Sequence, residues 1–260
     1  MKKYNVGILG ATGAVGREML NVLKERNFPI NELKLFASKR SAGKKIEYDG
    51  KEYIIIEATH GAFSNLDIVL GAASNPVAIE FKDDIVASGA VFIDNSSAFR
   101  MDKDIPLVVP EINPEDIFKN KGVIANPNCS TIISLVAINA INKLSKIKAI
   151  YASTYQATSG AGVEGPIELR NQMDAIINDK EITNKVFPYQ ICENVIPQIG
   201  SFLDNGYTKE EMKMQNEGRK ILHLDDLNVS CTCVRVPVFR SHSISLSIIT
   251  DRQLSIADAD

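Results

Sequence analysis

The sequence predicts an α/β fold, in which a doubly wound parallel sheet domain is followed by an α+β domain. Three observations predict it. A short apolar strand at residues 6–9 leads into a glycine-rich turn and a helical pattern. Apolar strands then alternate with helical patterns up to residue 125, which is typical of a parallel sheet with crossover helices. A length of 260 residues favours two domains over one. We expect the first to span residues 1–128 and the second residues 129–260.

The first turn has the features of a Rossmann-type dinucleotide site. Its glycines, spaced G-x-x-G-x-x-G, stand between a strand and a helix. Gly10 permits the tight turn, Gly13 lets the backbone approach a pyrophosphate, and Gly16 permits close packing of helix on sheet. An ordinary tight turn is the alternative, but the position after the N-terminal strand favours the dinucleotide. The predicted cofactor contacts in this turn are Gly10, Thr12, Gly13, Ala14, Val15 and Gly16.

The end of the second strand predicts the type of dinucleotide. An acidic residue there would bond the ribose of NAD, but this chain has two hydroxyls and an adjacent Lys-Arg pair. Those groups suit a 2′-phosphate dianion, so we expect NADP, held by Ser38, Arg40 and Ser41. A solvated loop is the alternative. After the next strand the small side chain of Ala73 leaves room for the cofactor backbone.

Two further features complete the first half of the chain. Asp49-Gly50 between alternating segments predicts a hairpin at the edge of the domain. The strand at residues 91–94 is followed by a polar run that ends at Arg100. Since ligands bind at the carboxyl ends of such strands, Arg100 is a candidate clamp for an anionic substrate, and a solvated surface arginine is the alternative.

Cys129 stands at the predicted start of a buried helix. Pro127 disfavours helix before it, Ser130 and Thr131 are good capping residues, and the apolar run 132–138 follows. The helix dipole there should favour thiolate over thiol, as a nucleophile requires. The alternative for Cys129 is a small buried hydrophobe.

The second half supplies further polar candidates. A strand at 150–156 leads into a glycine-containing loop that permits close approach to a flat ring. A helix is predicted over 163–178, and 188–197 looks irregular and extended. Thr208 and Glu211 form a capping box, which starts another helix. That helix carries three polar residues on one face, Lys213, Glu217 and Lys220. The alternative is that they form only a solvated salt-bridge ladder.

The last predicted strands carry two cysteines and a histidine. Cys231 and Cys233 share one face of the strand at 228–236 with Arg235, and no second pair at ligand spacing accompanies them. Core packing is therefore favoured over a metal site. His242 stands at the entrance of the strand 244–249 and is the candidate acid–base group, with a structural histidine as the alternative.

Composition narrows the classes of partner. The net charge is −3, and the absence of a large basic cluster argues against nucleic acid and for a small-molecule partner. No apolar run approaches the roughly 20 residues of a membrane span. The start of the chain has no secretory pattern, so the four cysteines are expected as thiols in the cytoplasm.

Taken together and in chain order, these motifs resemble the aspartate-semialdehyde dehydrogenase family. Asn128-Cys129-Ser130-Thr131 is the most specific of them. The resemblance extends along nearly the whole chain through residues 10–16, 37–43, 94–100, 126–131, 156–160, 235–238 and 241–243.

The resemblance implies NADP-dependent reductive dephosphorylation of 4-phospho-L-aspartate to L-aspartate 4-semialdehyde, an early step towards lysine, threonine and methionine. Cys129 would form a thioester, His242 would act as the acid–base group, and Gln156 would orient the intermediate. Ser159 and Gly160 would contact the cofactor.

The resemblance also implies how the substrate is held. Arg235 and Glu217 would hold its carboxylate and ammonium, and Arg100 and Lys213 its phosphate. Asn128 and Lys220 would lie nearby. The family is expected to assemble as a homodimer or homotetramer, and to continue for about 70 or more residues past the position of Ile256, so a C-terminally incomplete second domain is predicted.

Two rival interpretations remain open at this stage. One is a cysteine-dependent reductase of N-acetylglutamyl phosphate, a similar family that usually carries glycine where Asn128 stands. The other is a non-catalytic NADP-binding or assembly paralogue, against which the joint presence of Cys129, Gln156 and His242 argues.

Overall fold

The computed structural model describes residues 2–259 and confirms the α/β class. Its backbone divides into two compact units, with the division between Pro127 and Asn128. Each unit has its own sheet.

The first unit is built on a seven-stranded sheet with the order β3-β4-β2-β1-β5-β6-β7. All neighbouring pairs are parallel except β3 with β4. The strands are β1 (Tyr4–Leu9), β2 (Ile30–Ala37), β3 (Lys45–Tyr48), β4 (Lys51–Glu57), β5 (Ile68–Gly71), β6 (Val91–Asp94) and β7 (Val123–Ala125). Two α-helices connect parts of this sheet, α1 (Ala14–Glu25) and α2 (Asn75–Ala87).

Apolar side chains along β1 and β2 form the core beneath α1. Val6, Ile8 and Leu35 are buried in one cluster with Leu20 of α1. The chain moves outward from β1 in both directions, to β2 on one side and β5 on the other, so the strand order reverses at β1. Such a reversal opens a crevice at the carboxyl ends of the strands, where doubly wound sheets bind ligands.

The predicted hairpin forms, and it contributes more than an edge excursion. Tyr48 pairs with Lys51 across the turn, and Asp49 and Gly50 both have positive φ, which the twist of a two-residue hairpin favours. β4 also pairs in parallel with β2, with Leu35 opposite Ile55. The hairpin therefore extends the main sheet by two strands.

The second unit has a three-stranded sheet of order β10-β8-β9, with helices α3 and α5 in contact with it and with each other. β8 is parallel to β9 and antiparallel to β10. Its elements are α3 (Cys129–Leu144), β8 (Ile147–Gln156), α4 (Glu164–Ile177), α5 (Lys209–Leu222), β9 (Asn228–Arg235), β10 (Ser243–Thr250) and the short α6 (Ile256–Ala259). β8 begins three residues before the predicted strand, because its pairing with β10 continues to Ile147.

Between α4 and α5 the chain forms no helix or strand, as predicted for 188–197. Isolated bridges join Ile196 to Arg235 and Phe202 to Thr208. Over residues 2–259, none of the helices combines the length and apolar character needed to cross a membrane.

Candidate active site

The glycine turn has the close backbone packing that a dinucleotide site needs. Gly10 has φ +90°, and a Cβ there would lie 2.6 Å from the carbonyl oxygen of Ala72. A Cβ at Gly16 would lie 2.5 Å from the Gly10 oxygen. Gly13 is the N-cap of α1 and provides no side chain to bond the first N–H groups of the helix. The turn therefore leaves a backbone cradle at a helix N-terminus, which fits a pyrophosphate.

The other predicted cofactor residues of the first unit lie at the same edge of its sheet. Ser38 and Arg40 are exposed in a turn directly after β2, and Ser41 is buried, with its N–H donating to the Ser38 oxygen at 2.8 Å. The backbone nitrogen of Ala73 would lie 3.0 Å from a Cβ on Gly10. Adjacent strands thus bring the predicted pyrophosphate and adenosine contacts together.

Arg100 lies in the loop after β6 and is 8% exposed. Its Nε donates to the oxygen of Ser96 at 3.0 Å and its Nη2 to the oxygen of Asn95 at 2.9 Å. Asp94, at the end of β6, is fully buried, and burial raises the pKa of its carboxyl despite hydrogen bonds from Ser96 and the charge of Arg100. These bonds orient the guanidinium within the loop, which a clamp for an anion requires.

Cys129 is the first residue of α3, as predicted, but the capping residue is different. Asn128 is the N-cap, and its Oδ1 accepts the N–H groups of Ser130 at 3.0 Å and Thr131 at 3.2 Å. Ser130 and Thr131 were the predicted caps, and they lie inside the helix because Asn128 already occupies the capping position. The Asn128 side chain therefore holds the backbone that carries the nucleophile.

The pKa of the Cys129 thiol is raised in this structure, although the helix N-terminus acts on it in the predicted direction through the Ser130 N–H. The side chain reaches solvent on one side, but desolvation by the protein around it raises the pKa of the thiol, and the Glu210 carboxylate raises it further. Ser130 and Lys213 act in the opposite direction and are outweighed. A helix N-terminus favours thiolate, yet here burial and a nearby negative charge dominate.

Glu210 is a site residue that the motifs did not identify. Its Oε1 accepts the side-chain N–H of Asn128 at 2.8 Å and of Gln156 at 3.4 Å, and its Oε2 lies 2.9 Å from the Lys213 ammonium. Desolvation opposes its ionisation, but these three partners together lower the pKa of the carboxyl. The signal was available in the spacing, because Glu210 lies three residues before Lys213 on the same face of α5.

Glu217 and Lys220 both lie on α5 beyond Lys213. Glu217 is 2% exposed, and its Oε2 accepts the backbone N–H of Asn128 at 2.7 Å. It therefore supports the residue before the nucleophile. Lys220 lies seven residues beyond Lys213, or about 10 Å further along the helix axis. Lys213, Glu217 and Lys220 therefore share one face of α5, as predicted, but they lie at different heights along the helix axis.

Arg235 and His242 lie against the loop that follows β8. Arg235 is 6% exposed, and its Nη1 donates to the oxygen of Ala157 at 2.8 Å. A Cβ on Gly160 would meet that Nη1 at 2.7 Å and the His242 Nε2 at 3.2 Å. Ser159 and Gly160, the predicted cofactor contacts of this unit, thus belong to the same cluster as the histidine.

The tautomer of His242 follows from its backbone partner. The N–H of Ala157 donates to Nδ1 at 3.0 Å, so the neutral ring carries its proton on Nε2. Desolvation and the charge of Arg235 lower the pKa of His242, and the Glu210 carboxylate opposes them only in part. The ring is therefore neutral near pH 7 and presents an Nε2–H donor.

Comparison with known proteins decides between the interpretations. The family model for the semialdehyde dehydrogenase NAD binding domain matches residues 5–120, and the model for the semialdehyde dehydrogenase dimerisation domain matches residues 138–260. An aspartate-semialdehyde dehydrogenase of Aquifex aeolicus (strain VF5) is 50% identical over 260 residues, covering 98% of this chain and 76% of that protein. The chain belongs to the aspartate-semialdehyde dehydrogenase family.

Other similar proteins and solved structures support membership of the same family. An aspartate-semialdehyde dehydrogenase of Bacillus subtilis (strain 168) is 48% identical, over 95% of this chain and 74% of that protein. The crystal structure of aspartate semialdehyde dehydrogenase II from Vibrio cholerae has a TM-score of 0.97 at 45% identity, and covers 99% of this chain and 78% of that one. A second structure of the Vibrio enzyme, described as complexed with ASA, has the same TM-score at 44% identity.

Family membership confirms several predictions. The chain is an oxidoreductase of amino-acid biosynthesis, with a nicotinamide dinucleotide-binding domain followed by a dimerisation domain. The interpretation as an N-acetylglutamyl phosphate reductase is not favoured, since the relatives described above are aspartate-semialdehyde dehydrogenases. The roles of individual residues stay predictions.

Proposed function

We propose that this enzyme converts 4-phospho-L-aspartate to L-aspartate 4-semialdehyde with NADPH, through a thioester on Cys129. One observation carries the proposal. Cys129 begins α3 within reach of the charges of Glu210, Lys213 and Arg235, all in the second unit. A nucleophile among groups of both signs suits a substrate that is a phosphorylated amino acid.

The first step uses the thiolate of Cys129, which forms when the thiol gives its proton to solvent, since the side chain is exposed. Its sulfur attacks the acyl carbon, the carbon–oxygen bond to phosphate breaks, and inorganic phosphate leaves with the electron pair. We assign the phosphate to Arg100 and Lys213, since cations stabilise the charge of this leaving group. A thiolate suits a reaction in two steps, in which a thioester forms and is then reduced, because it is both a good nucleophile and a tolerable leaving group.

The second step reduces the thioester. The bound dinucleotide supplies the hydride. The acyl oxygen then carries negative charge, and the Nε2–H of His242 donates a hydrogen bond to it. When the oxygen re-forms its carbonyl, the carbon–sulfur bond breaks and the Cys129 thiolate is regenerated. The neutral tautomer of His242 thus narrows its acid–base role to that of a donor for this oxyanion.

We assign recognition of the amino-acid head to two residues. Arg235 binds the carboxylate, since a guanidinium matches its two oxygens. Glu210 binds the ammonium, in place of Glu217, because Glu210 has its carboxylate beside Gln156 while the Glu217 oxygen is bonded to the Asn128 backbone. Asn128 and Glu217 support the nucleophile.

The remaining predicted contacts keep the roles that the sequence indicates. Ser38, Arg40 and Ser41 hold the 2′-phosphate that distinguishes NADP from NAD, and Ser159 and Gly160 contact the cofactor. Lys220 lies near the substrate site. We propose a homodimer or homotetramer, which the match to a dimerisation domain supports, and a cytoplasmic enzyme, in keeping with amino-acid biosynthesis.

The test is a phosphate-dependent assay of NADP reduction with aspartate semialdehyde. Cys129→Ala should remove activity, and Cys192→Ala is the matched control, because Cys192 is a buried cysteine in the hydrophobic cluster around Leu169. With phosphate omitted, the wild-type protein should accumulate an aspartyl adduct on Cys129, detected by mass spectrometry after acid quenching. Turnover by Cys129→Ala would overturn the covalent mechanism.

A further inference from the structure

A buried pair of side chains on α4 holds an irregular stretch of chain beside the proposed substrate site. The stretch, called segment 183–192 here, has no helix or strand. The pair is Glu168, which is 5% exposed, and Gln172, which is 1% exposed. They lie four residues apart, so both project from one face of the helix.

Glu168 bonds the first half of the segment. Its Oε2 accepts the backbone N–H groups of Lys185 at 2.8 Å and Val186 at 2.5 Å, and its Oε1 accepts that of Phe187 at 3.2 Å. The Nε2 of Gln172 also donates to Oε1, at 3.4 Å. One buried carboxylate thus accepts hydrogen bonds from three successive backbone N–H groups, which have no strand partner because the segment forms no strand.

Gln172 bonds both ends of the segment. Its Nε2 donates to the oxygen of Thr183 at 3.3 Å and to Asn184 Oδ1 at 3.0 Å. Its Oε1 accepts the N–H groups of Ile191 at 2.9 Å and Cys192 at 3.0 Å. With these bonds, the two side chains of α4 define the path of the whole segment.

The segment presents one ring to Arg235. Phe187 is 7% exposed, and its ring centroid lies 5.9 Å from Cζ of Arg235. Four residues past the segment, Ile196 exchanges both backbone hydrogen bonds with Arg235, at 2.9 and 2.8 Å. Phe187 and Ile196 belong to the same buried cluster. The guanidinium is therefore backed by a ring whose own position depends on Glu168.

We propose that Glu168 and Gln172 are positioning residues that act through Phe187 to orient Arg235 towards the substrate carboxylate. The proposal rests on the assignment of Arg235 to that carboxylate. A guanidinium binds a carboxylate best when its plane faces both oxygens. The Ala157 oxygen fixes one nitrogen of Arg235, and the Phe187 ring limits rotation of the group about it.

The experiment compares two substrates that differ in the carboxylate. The first is aspartate semialdehyde and the second is 3-aminopropanal, which keeps the ammonium and aldehyde but lacks the carboxylate. The ratio of their kcat/KM values measures recognition of the carboxylate alone, since a general loss of structure lowers both values together. The KM for phosphate is a second internal reference.

Phe187→Leu should lower this ratio about threefold to tenfold, the range for a partly buried cation–π contact. Phe187→Tyr, which keeps an aromatic ring, should leave the ratio at its wild-type value. Glu168→Gln should lower it in the same direction, with the phosphate KM changed by less than about twofold. Phe239→Leu is the matched control, because Phe239 packs on the same cluster but stacks on Arg170 at 5.2 Å. It should leave the ratio unchanged.

The outcomes distinguish the positioning role of Glu168 and Phe187 from the assignment of Arg235 to the substrate carboxylate. If Arg235→Lys lowers the ratio but Phe187→Leu and Glu168→Gln leave it unchanged, the positioning role is overturned and the assignment of Arg235 stands. If Arg235→Lys also leaves it unchanged, the assignment itself fails. Should Phe187→Leu not fold, Glu168→Gln, which retains the side-chain shape, decides the matter.

Discussion

Replacing Glu217 by leucine should damage the support of the nucleophile without affecting recognition of the substrate. The substitution removes the carboxylate that accepts the buried N–H of Asn128 at 2.7 Å. A buried donor left without its acceptor costs about 2 kcal/mol of the free energy of unfolding. For a chain of this size the cost corresponds to a fall in Tm of about 4–8 °C.

Kinetics distinguish this supporting role from contact with substrate. In Glu217→Leu the start of α3 shifts, so kcat should fall about tenfold or more through misplacement of Cys129. The KM for aspartate semialdehyde should change by less than about twofold. Glu210→Gln should behave in the opposite way, raising that KM about tenfold to a hundredfold through loss of a charged hydrogen bond.

The measurements are thermal unfolding and initial rates of NADP reduction at saturating phosphate. Glu217→Gln is the intermediate control, since its amide oxygen can still accept the Asn128 N–H without the charge. If Glu217→Leu raised the KM about tenfold or more and left Tm unchanged, while Glu210→Gln left the KM unchanged, Glu217 would be the ammonium-binding residue, and the assignment to Glu210 would be wrong.

Three further predictions concern the charges and close contacts of the site. Glu210→Gln should move the midpoint of Cys129 alkylation by iodoacetamide to lower pH, because the carboxylate raises the pKa of the thiol and its removal makes thiolate easier to form; an unchanged midpoint would contradict this. Arg40→Gln should weaken NADP relative to NAD about tenfold in a binding titration, whereas unchanged affinity for both would point to a solvated loop. Gly160→Ala should lower kcat/KM about tenfold or more, because the added methyl would lie 2.7 Å from Arg235 Nη1, and wild-type activity in that variant would refute the contact.

Local rules were sufficient for much of the fold. The glycine turn, the Asp49-Gly50 hairpin and the Thr208 capping box each depend on residues within a few positions of one another, and all three form. Cys231 and Cys233 are buried with their sulfur atoms 3.6 Å apart, as predicted for core residues.

The functional site depended on contacts that sequence spacing does not specify. Periodicity placed Lys213, Glu217 and Lys220 on one face of α5, but it did not single out Glu210, whose carboxylate meets Gln156 while that of Glu217 meets the Asn128 backbone.

From the sequence alone, the family, the α/β class and the position of Cys129 at a helix start could be determined, because each is carried by neighbouring residues and their order. Only the tertiary structure decided that the thiol has a raised pKa, that Glu217 supports the backbone, and that Glu168 orders a segment without regular structure. The physical reason is that desolvation and hydrogen-bond partners arise from groups far apart in the chain, and those exist only once the chain has packed.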